Sequence, residues 1–190
     1  GFGGSCFPKD CLALVKTAQE AGAPLGIVET VIAANDARKT HMAERIIQAC
    51  GGSVKGKTIA VLGLTFKPNT DDMRDSPSLA IIPALQQAGA TICAFDPEGT
   101  EEAKKLLIGV TFCAGSYEAM EGAHALVLVT EWNEFRALDL DRVKSLLKTP
   151  TIIDLRNIYK PADMAEAGFH YFSIGRRAAA PARQRLQAKN

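Results

Sequence analysis

No run of apolar residues in this chain is long enough to cross a membrane, which excludes a helical membrane span as its organising feature. Charge of one sign is also missing. Lys and Arg number 22 against 21 Asp and Glu, so there is no basic field for nucleic acid or for a membrane surface. The five cysteines (Cys6, Cys11, Cys50, Cys93, Cys113) are odd in number and have no metal-ligand spacing. The three histidines, His41, His124 and His170, stand apart with neither metal nor triad spacing, so no metal site is expected and all three read as structural. What is present is an ordinary globular composition, 47% hydrophobic and 23% charged, sufficient for a core, with nothing pointing to disorder before the final basic segment.

Four of the thiols read as packing residues. Cys93 and Cys113 fall in strand-like apolar runs, Cys50 ends a helix and Cys11 lies inside one, and a buried cysteine behaves as a small hydrophobe. Free thiols of this kind point to a reducing, cytoplasmic setting. Cys6 differs. It lies in Gly1-Phe2-Gly3-Gly4-Ser5-Cys6-Phe7-Pro8-Lys9-Asp10, where a glycine-rich loop turns into a helix that Pro8 is suited to start. A helix N-terminus offers unpaired N–H groups and the positive end of the macrodipole, which favour thiolate, the nucleophilic form. The glycines let the backbone approach a ligand closely.

Helical periodicity predicts a first helix over 8–21, closed by Gly22, and a second from Pro24 to Cys50, stopped by Gly51-Gly52. A helix of about 26 residues is about 39 Å long, more than a small domain requires. That length suggests a connection between domains or pairing with a second copy of the chain. After residue 53 strands alternate with helices. Strands are expected over 58–64, 91–95, 110–113, 125–130, 151–154 and 170–173, with helices near 76–88, 98–107, 117–121, 140–147 and 162–167. Continuous apolar runs such as TIAVLGL and ALVLVT suit strands buried on both faces. The expected fold class is therefore α/β: long N-terminal helices, then a doubly wound, mostly parallel Rossmann-like sheet. The expected organisation is a cysteine loop with connecting or dimerisation helices over 1–52, a sheet domain over 53–175, and a loose basic tail over 176–190.

Ligands of such sheets bind beyond the carboxyl ends of the strands. Three segments arrive there. The loop after the first strand, running from Gly63 to Pro77, is about twice the usual length and carries Lys67 and Arg74, cations suited to phosphate or hydroxyl groups. It lacks G-x-G-x-x-G and retains only Gly63, so the dinucleotide fingerprint is weak. Asp96 ends the second strand, where Rossmann folds place an acid on a ribose, although many such acids only cap a turn. Arg156 follows the fifth strand in Asp154-Leu155-Arg156-Asn157. Glu131 and Trp132 lie on the rim after ALVLVT, Trp132 being equally suited to packing.

Two motifs together carry a family resemblance. GFGGSCFPKD followed by a long helix, then GLTFKPNTDDMRDSPSL, resembles the UDP-glucose/GDP-mannose dehydrogenase family in its UDP-glucose 6-dehydrogenase branch. AFDPEG, VTEWNEF and DLRNIY match the C-terminal half of that family, so the likeness covers residues 1–175. It implies two successive oxidations of C6 of UDP-glucose to UDP-glucuronate by two NAD. Cys6 would capture the aldehyde as a thiohemiacetal, and a thioester would then be hydrolysed with help from Asp10. Gly3, Phe7, Phe66, Lys67 and Arg156 would meet the UDP-sugar, and Arg74 would reach NAD. Lys9 belongs to the motif without an assigned role.

Intact members begin with an NAD-binding Rossmann domain that this sequence does not contain. The resemblance thus implies a C-terminal part whose NAD is held mainly elsewhere, which binds UDP or a UDP-sugar weakly and does not turn over alone. A homodimer through helix 24–50 is expected, with no nucleic-acid or membrane partner. Related GDP-mannose or UDP-N-acetylmannosamine dehydrogenases, and a non-catalytic nucleotide-sugar-binding module, are the alternatives. A redox protein using Cys6 and Cys11 is disfavoured, because their spacing is not C-x-x-C.

Overall fold

In the computed structural model, which describes residues 1–181, the apolar runs become six strands of one sheet. In chain order the elements are α1 (Phe7–Glu20), α2 (Gly26–Ala49), β1 (Thr58–Leu62), α3 (Ser78–Gln87), β2 (Thr91–Phe95), α4 (Thr100–Leu106) and β3 (Val110–Phe112). They continue with α5 (Ser116–Met120), β4 (Ala125–Leu128), α6 (Asn133–Arg136), α7 (Leu140–Leu146), β5 (Thr151–Asp154), α8 (Pro161–Glu166) and β6 (His170–Ser173). The strand order is β3-β2-β1-β4-β5-β6 and every pairing is parallel. This is the doubly wound order, with the reversal between β1 and β4.

The two-residue side-chain period of each strand feeds two cores. Ile59 and Val61 of β1, Ile92 and Ala94 of β2 and Ala125 and Val127 of β4 pack on one face with Ile81, Ile82 and Leu85 of α3 and Ala43 and Ile46 of α2. Ala60, Leu62, Leu126, Leu128 and Ile152 pack on the other with Met120, Phe135, Val143, Met164 and Tyr171. Pro83 sits inside α3 and removes one helical donor. Three fully buried apolar side chains on that helix, Ile81, Ile82 and Leu85, hold it in place regardless.

Helix α2 begins at Gly26 rather than at Pro24, with Leu25 as its cap, and spans 24 residues. Its two halves differ. Ala43 and Ile46 are buried in the sheet's core, so the second half of α2 is an outer layer of the sheet domain. In the first half Ile27 is 83% exposed and Val31 41% exposed, and Leu12 and Leu14 of α1 are also exposed. The apolar positions read from the sequence as one helical stripe therefore serve two different surfaces. No helix among the described residues is long and apolar enough to cross a membrane. Of the basic tail, Ala179 forms an antiparallel bridge with Tyr171, and residues 182–190 lie outside the described residues.

Gly63 sets the carboxyl edge of the sheet. Its φ of +86° is a conformation that disfavours side chains, and a Cβ there would stand 2.5 Å from Thr130 Cβ and 2.6 Å from Thr130 N. β1 thus ends in direct backbone contact with the turn after β4. Gly63→Ala is expected to lower stability by about 2–4 kcal/mol, combining left-handed strain with overpacking. In urea the unfolding midpoint should drop with an unchanged slope; an unaltered midpoint would mean that the turn is not close-packed.

Candidate active site

The glycine-rich loop is seated on the loop that follows β1. Asn35 of α2 anchors its start: its Oδ1 accepts from Phe2 N at 2.7 Å and its Nδ2 donates to Phe2 O at 3.1 Å. A Cβ on Gly3 would overlap the Asp75 carbonyl, and one on Gly4, whose φ is +86°, would stand 2.6 Å from the Phe66 ring. Gly4 N donates to Arg74 O at 2.8 Å. The glycines are needed because the backbone lies against an aromatic ring and a second backbone. Beyond them Cys6 is the N-cap of α1, with Pro8 in the first turn and no side-chain capping bond. Cys6 is exposed and its Sγ lies 3.6 Å from Ser5 Oγ. Asp10, four residues on, donates its N–H to Cys6 O at 2.8 Å. Phe7 stays exposed, its ring edge-on to Phe2 at 4.6 Å between centroids.

The loop from Thr65 to Pro77 is pinned at both ends. Ser76 Oγ and Ser78 Oγ donate to Leu64 O at 2.6 and 2.5 Å. Between these ends, Lys67 Nζ lies 5.3 Å from the centre of the Phe66 ring. Arg74 donates through Nε and Nη2 to Asp72 at 2.9 and 2.8 Å. These bonds hold the Asp72 carboxyl below the usual carboxylate range. They also raise the Arg74 guanidinium, to which the nearby Cys6 sulfur adds a smaller attraction. Gly3, Phe66, Lys67, Arg74 and Cys6 are thus brought to one place.

Arg156 reaches the same edge from β5. It is held by Glu131 through Nη2–Oε1 at 2.8 Å and through an Nε–Oε2 contact, each side chain a little under a third exposed. Burial pushes the Glu131 carboxyl up, but the hydrogen bonds and charge of Arg156 outweigh it and leave the net shift downward. A cavity of about 70 Å³ is lined by Arg156, Arg38, Leu155 and Gly1, so Arg156 meets the start of the cysteine loop. Of the other thiols, Cys11 and Cys113 are buried and Cys50 and Cys93 partly so. Burial pushes Cys113 up to about 11 and also raises Cys50 and Cys93, which suits packing roles.

Asp96 departs from the ribose-binding reading. It is 1% exposed, and its Oδ2 accepts from Leu64 N at 2.6 Å, Thr65 N at 3.1 Å, Thr65 Oγ1 at 3.2 Å and Trp132 Nε1 at 3.2 Å. Oδ1 takes Glu98 N at 3.1 Å and Gly99 N at 2.7 Å. The acid and the amides that would cradle a ribose and a pyrophosphate are used on each other, so a dinucleotide does not fit this switch point. Trp132 is buried and serves as packing and donor.

Sequence reading missed the clamp by Asn35 and the pairing of Glu131 with Arg156. The only trace of the first was a polar residue within the apolar stripe of α2. The second joins residues 25 apart and leaves no local mark. Comparison with known proteins accords with this geometry. The UDP-binding domain of the UDP-glucose/GDP-mannose dehydrogenase family matches residues 60–161, and the family's central domain matches residues 1–37. The chain belongs to this family.

UDP-glucose 6-dehydrogenase of Rhizobium meliloti is 60% identical over 176 residues, covering 93% of this chain and 40% of the relative. TuaD, a UDP-glucose 6-dehydrogenase of Bacillus subtilis, is 48% identical over 177 residues, covering 93% of this chain and 38% of its own length. This member therefore spans about 40% of the length of the curated relatives it matches. Among solved structures, a UDP-glucose dehydrogenase from Pyrobaculum islandicum is similar at 30% identity and TM-score 0.70, over 81% of this chain and 34% of that one. An NDP-N-acetyl-D-galactosaminuronic acid dehydrogenase from Methanosarcina mazei aligns at 28% identity and TM-score 0.81, over 93% and 39%.

The pairing of Glu131 with Arg156 has a defined pH signature. Because the folded carboxyl is lowered, its stabilisation is present above the unfolded value of about 4.3 and is lost as pH falls through the folded one. The gap in urea midpoint between the parent and Glu131→Gln should therefore close between about pH 6 and about pH 3. A gap independent of pH would remove the ion pair as its source.

Proposed function

We propose that this chain forms the nucleophile-bearing, UDP-sugar-binding part of an NAD-dependent UDP-glucose 6-dehydrogenase. The observation that carries this reading is the seating of Gly3 and Gly4 on Phe66, tied to the Arg74 carbonyl, which sets Cys6 beside a cationic loop. The identity to UDP-glucose 6-dehydrogenases favours UDP-glucose over other nucleotide sugars. Lys67 and Arg156 supply charge for the diphosphate, Phe66 and Phe7 supply apolar surface for the sugar, and Gly3 supplies close backbone approach. Arg74 is the residue of this chain proposed to face NAD, which accepts hydride when bound. The dinucleotide is assigned to a site outside the β1–β4 switch point, because Asp96 already occupies the donors there.

Cys6 is the acyl-holding residue. Its sulfur adds to the aldehyde carbon of the half-oxidised sugar while the proton that balances the addition goes to the carbonyl oxygen. Once the carbon is oxidised to the acyl level, water breaks the C–S bond and restores the thiol. Asp10, one turn on, orients water. Two such chains are proposed to pair through the apolar residues of α1 and the first half of α2 that remain exposed. A monomer at high concentration by light scattering would count against this pairing.

Calorimetric titration with UDP-glucose, UDP and GDP-mannose tests the assignment. Binding of UDP and UDP-glucose is expected, with Lys67→Ala and Arg156→Ala each weakening it roughly tenfold. Binding of GDP-mannose with none of UDP-glucose would overturn the substrate.

A further inference from the structure

At the opposite edge of the sheet a cleft of about 290 Å³ opens between the end of α2 and the starts of β1, β4, β5 and β6. Its polar lining is Lys57, His124, His170, Thr149 and Thr151, with Phe172 on its apolar side and the α2 terminus closing it at Cys50. None of its lining residues is a carboxylate. Lys57 Nζ donates to Cys50 O at 2.6 Å, which fixes the ammonium at the negative end of the helix and leaves it further N–H groups. His124 Nδ1 accepts from Thr58 N at 3.0 Å, so the proton of the neutral ring is on Nε2. That donor has no acceptor among the described hydrogen bonds. Lys57, His124 and His170, from different elements, thus line one cleft with no carboxylate among its lining residues.

We propose that this cleft binds a small phosphate-type anion, inorganic phosphate or a phosphomonoester, at a site separate from Cys6. A tetrahedral oxyanion accepts at several points at once, as a lysine, an imidazole N–H and two threonine hydroxyls require. Phe172 gives an ester group an apolar surface. A metal cation is disfavoured, because the Lys57 ammonium stands in the cleft and no group of three ligating side chains is found among the described residues.

The histidine ring resonances read the site directly. Inorganic phosphate is titrated at neutral pH with chloride adjusted to constant ionic strength. The His124 and His170 signals should shift saturably while His41, exposed on α2, stays fixed. Lys57→Met should weaken binding about tenfold, the loss of one charge-assisted contact. Because Lys57 also closes α2, His170→Phe is the second variant, read at His124, and should weaken binding severalfold. Glycerol phosphate binding as tightly as inorganic phosphate would extend the site to monoesters, and weaker binding would restrict it to the free anion. Shifts that never saturate, that include His41 equally, that chloride reproduces, or that persist unchanged in both variants would overturn the proposal.

Discussion

Two buried carboxylates, Asp96 just past β2 and Asp154 at the end of β5, hold the carboxyl edge of this sheet in shape. A parallel sheet ends in strand tips whose onward turns must find partners for their N–H groups. A carboxylate without water must likewise be surrounded by donors. Each requirement meets the other. Asp96 takes the N–H groups of Leu64 and Thr65, which forces the chain after β1 into the loop that presents Phe66 and Lys67. Asp154 takes Arg156 N at 2.9 Å, Tyr159 N at 3.1 Å and Tyr171 Oη at 2.7 Å, which aims the chain after β5 at the same place. The Cys6 loop depends on both, since it rests on Phe66 and begins beside Arg156.

The same constraint explains why the switch point of this doubly wound sheet is not shaped for a dinucleotide. The donors and the acid that would bind one are saturated within the protein, and Gly63 is packed on Thr130 rather than opened toward a ligand. What the edge offers instead is side-chain charge on loops.

Strand positions were legible because each strand is a continuous apolar run bounded by polar turns. β2, β5 and β6 fall where periodicity places them, whereas β1 and β4 end earlier because their last apolar residues turn into the packed edge. Helix α6 escaped the sequence reading because four residues carry no period. Within the site, Gly3, Cys6, Phe66, Lys67 and Arg74 were legible as motif residues, since the chemistry of a thiol at a helix start is local. What Asp96 does was not: the same Asp-Pro serves a ribose or a turn, and only the positions of Leu64, Thr65 and Trp132 decide between them. The split of α2 into a buried half and an exposed half is equally invisible, because an apolar residue that faces a core and one that is exposed have the same period.

Two arginines at the carboxyl edge are already paired, Arg74 with Asp72 and Arg156 with Glu131. At first sight this weakens the case for an anionic ligand, because each guanidinium has its charge answered. The geometry argues otherwise. Each carboxylate takes Nε and one terminal nitrogen, which immobilises the fork and leaves the second terminal nitrogen with its two donors. A guanidinium held this way loses less side-chain entropy when a phosphate arrives than a free one would. The carboxylate lowers the affinity through its charge and raises it through preorganisation. Glu131→Gln removes the charge and, because an amide nitrogen cannot accept, one of the two hydrogen bonds as well, so the variant reads the balance: tighter UDP binding would show that the carboxylate's charge outweighs its preorganisation, and weaker binding the reverse.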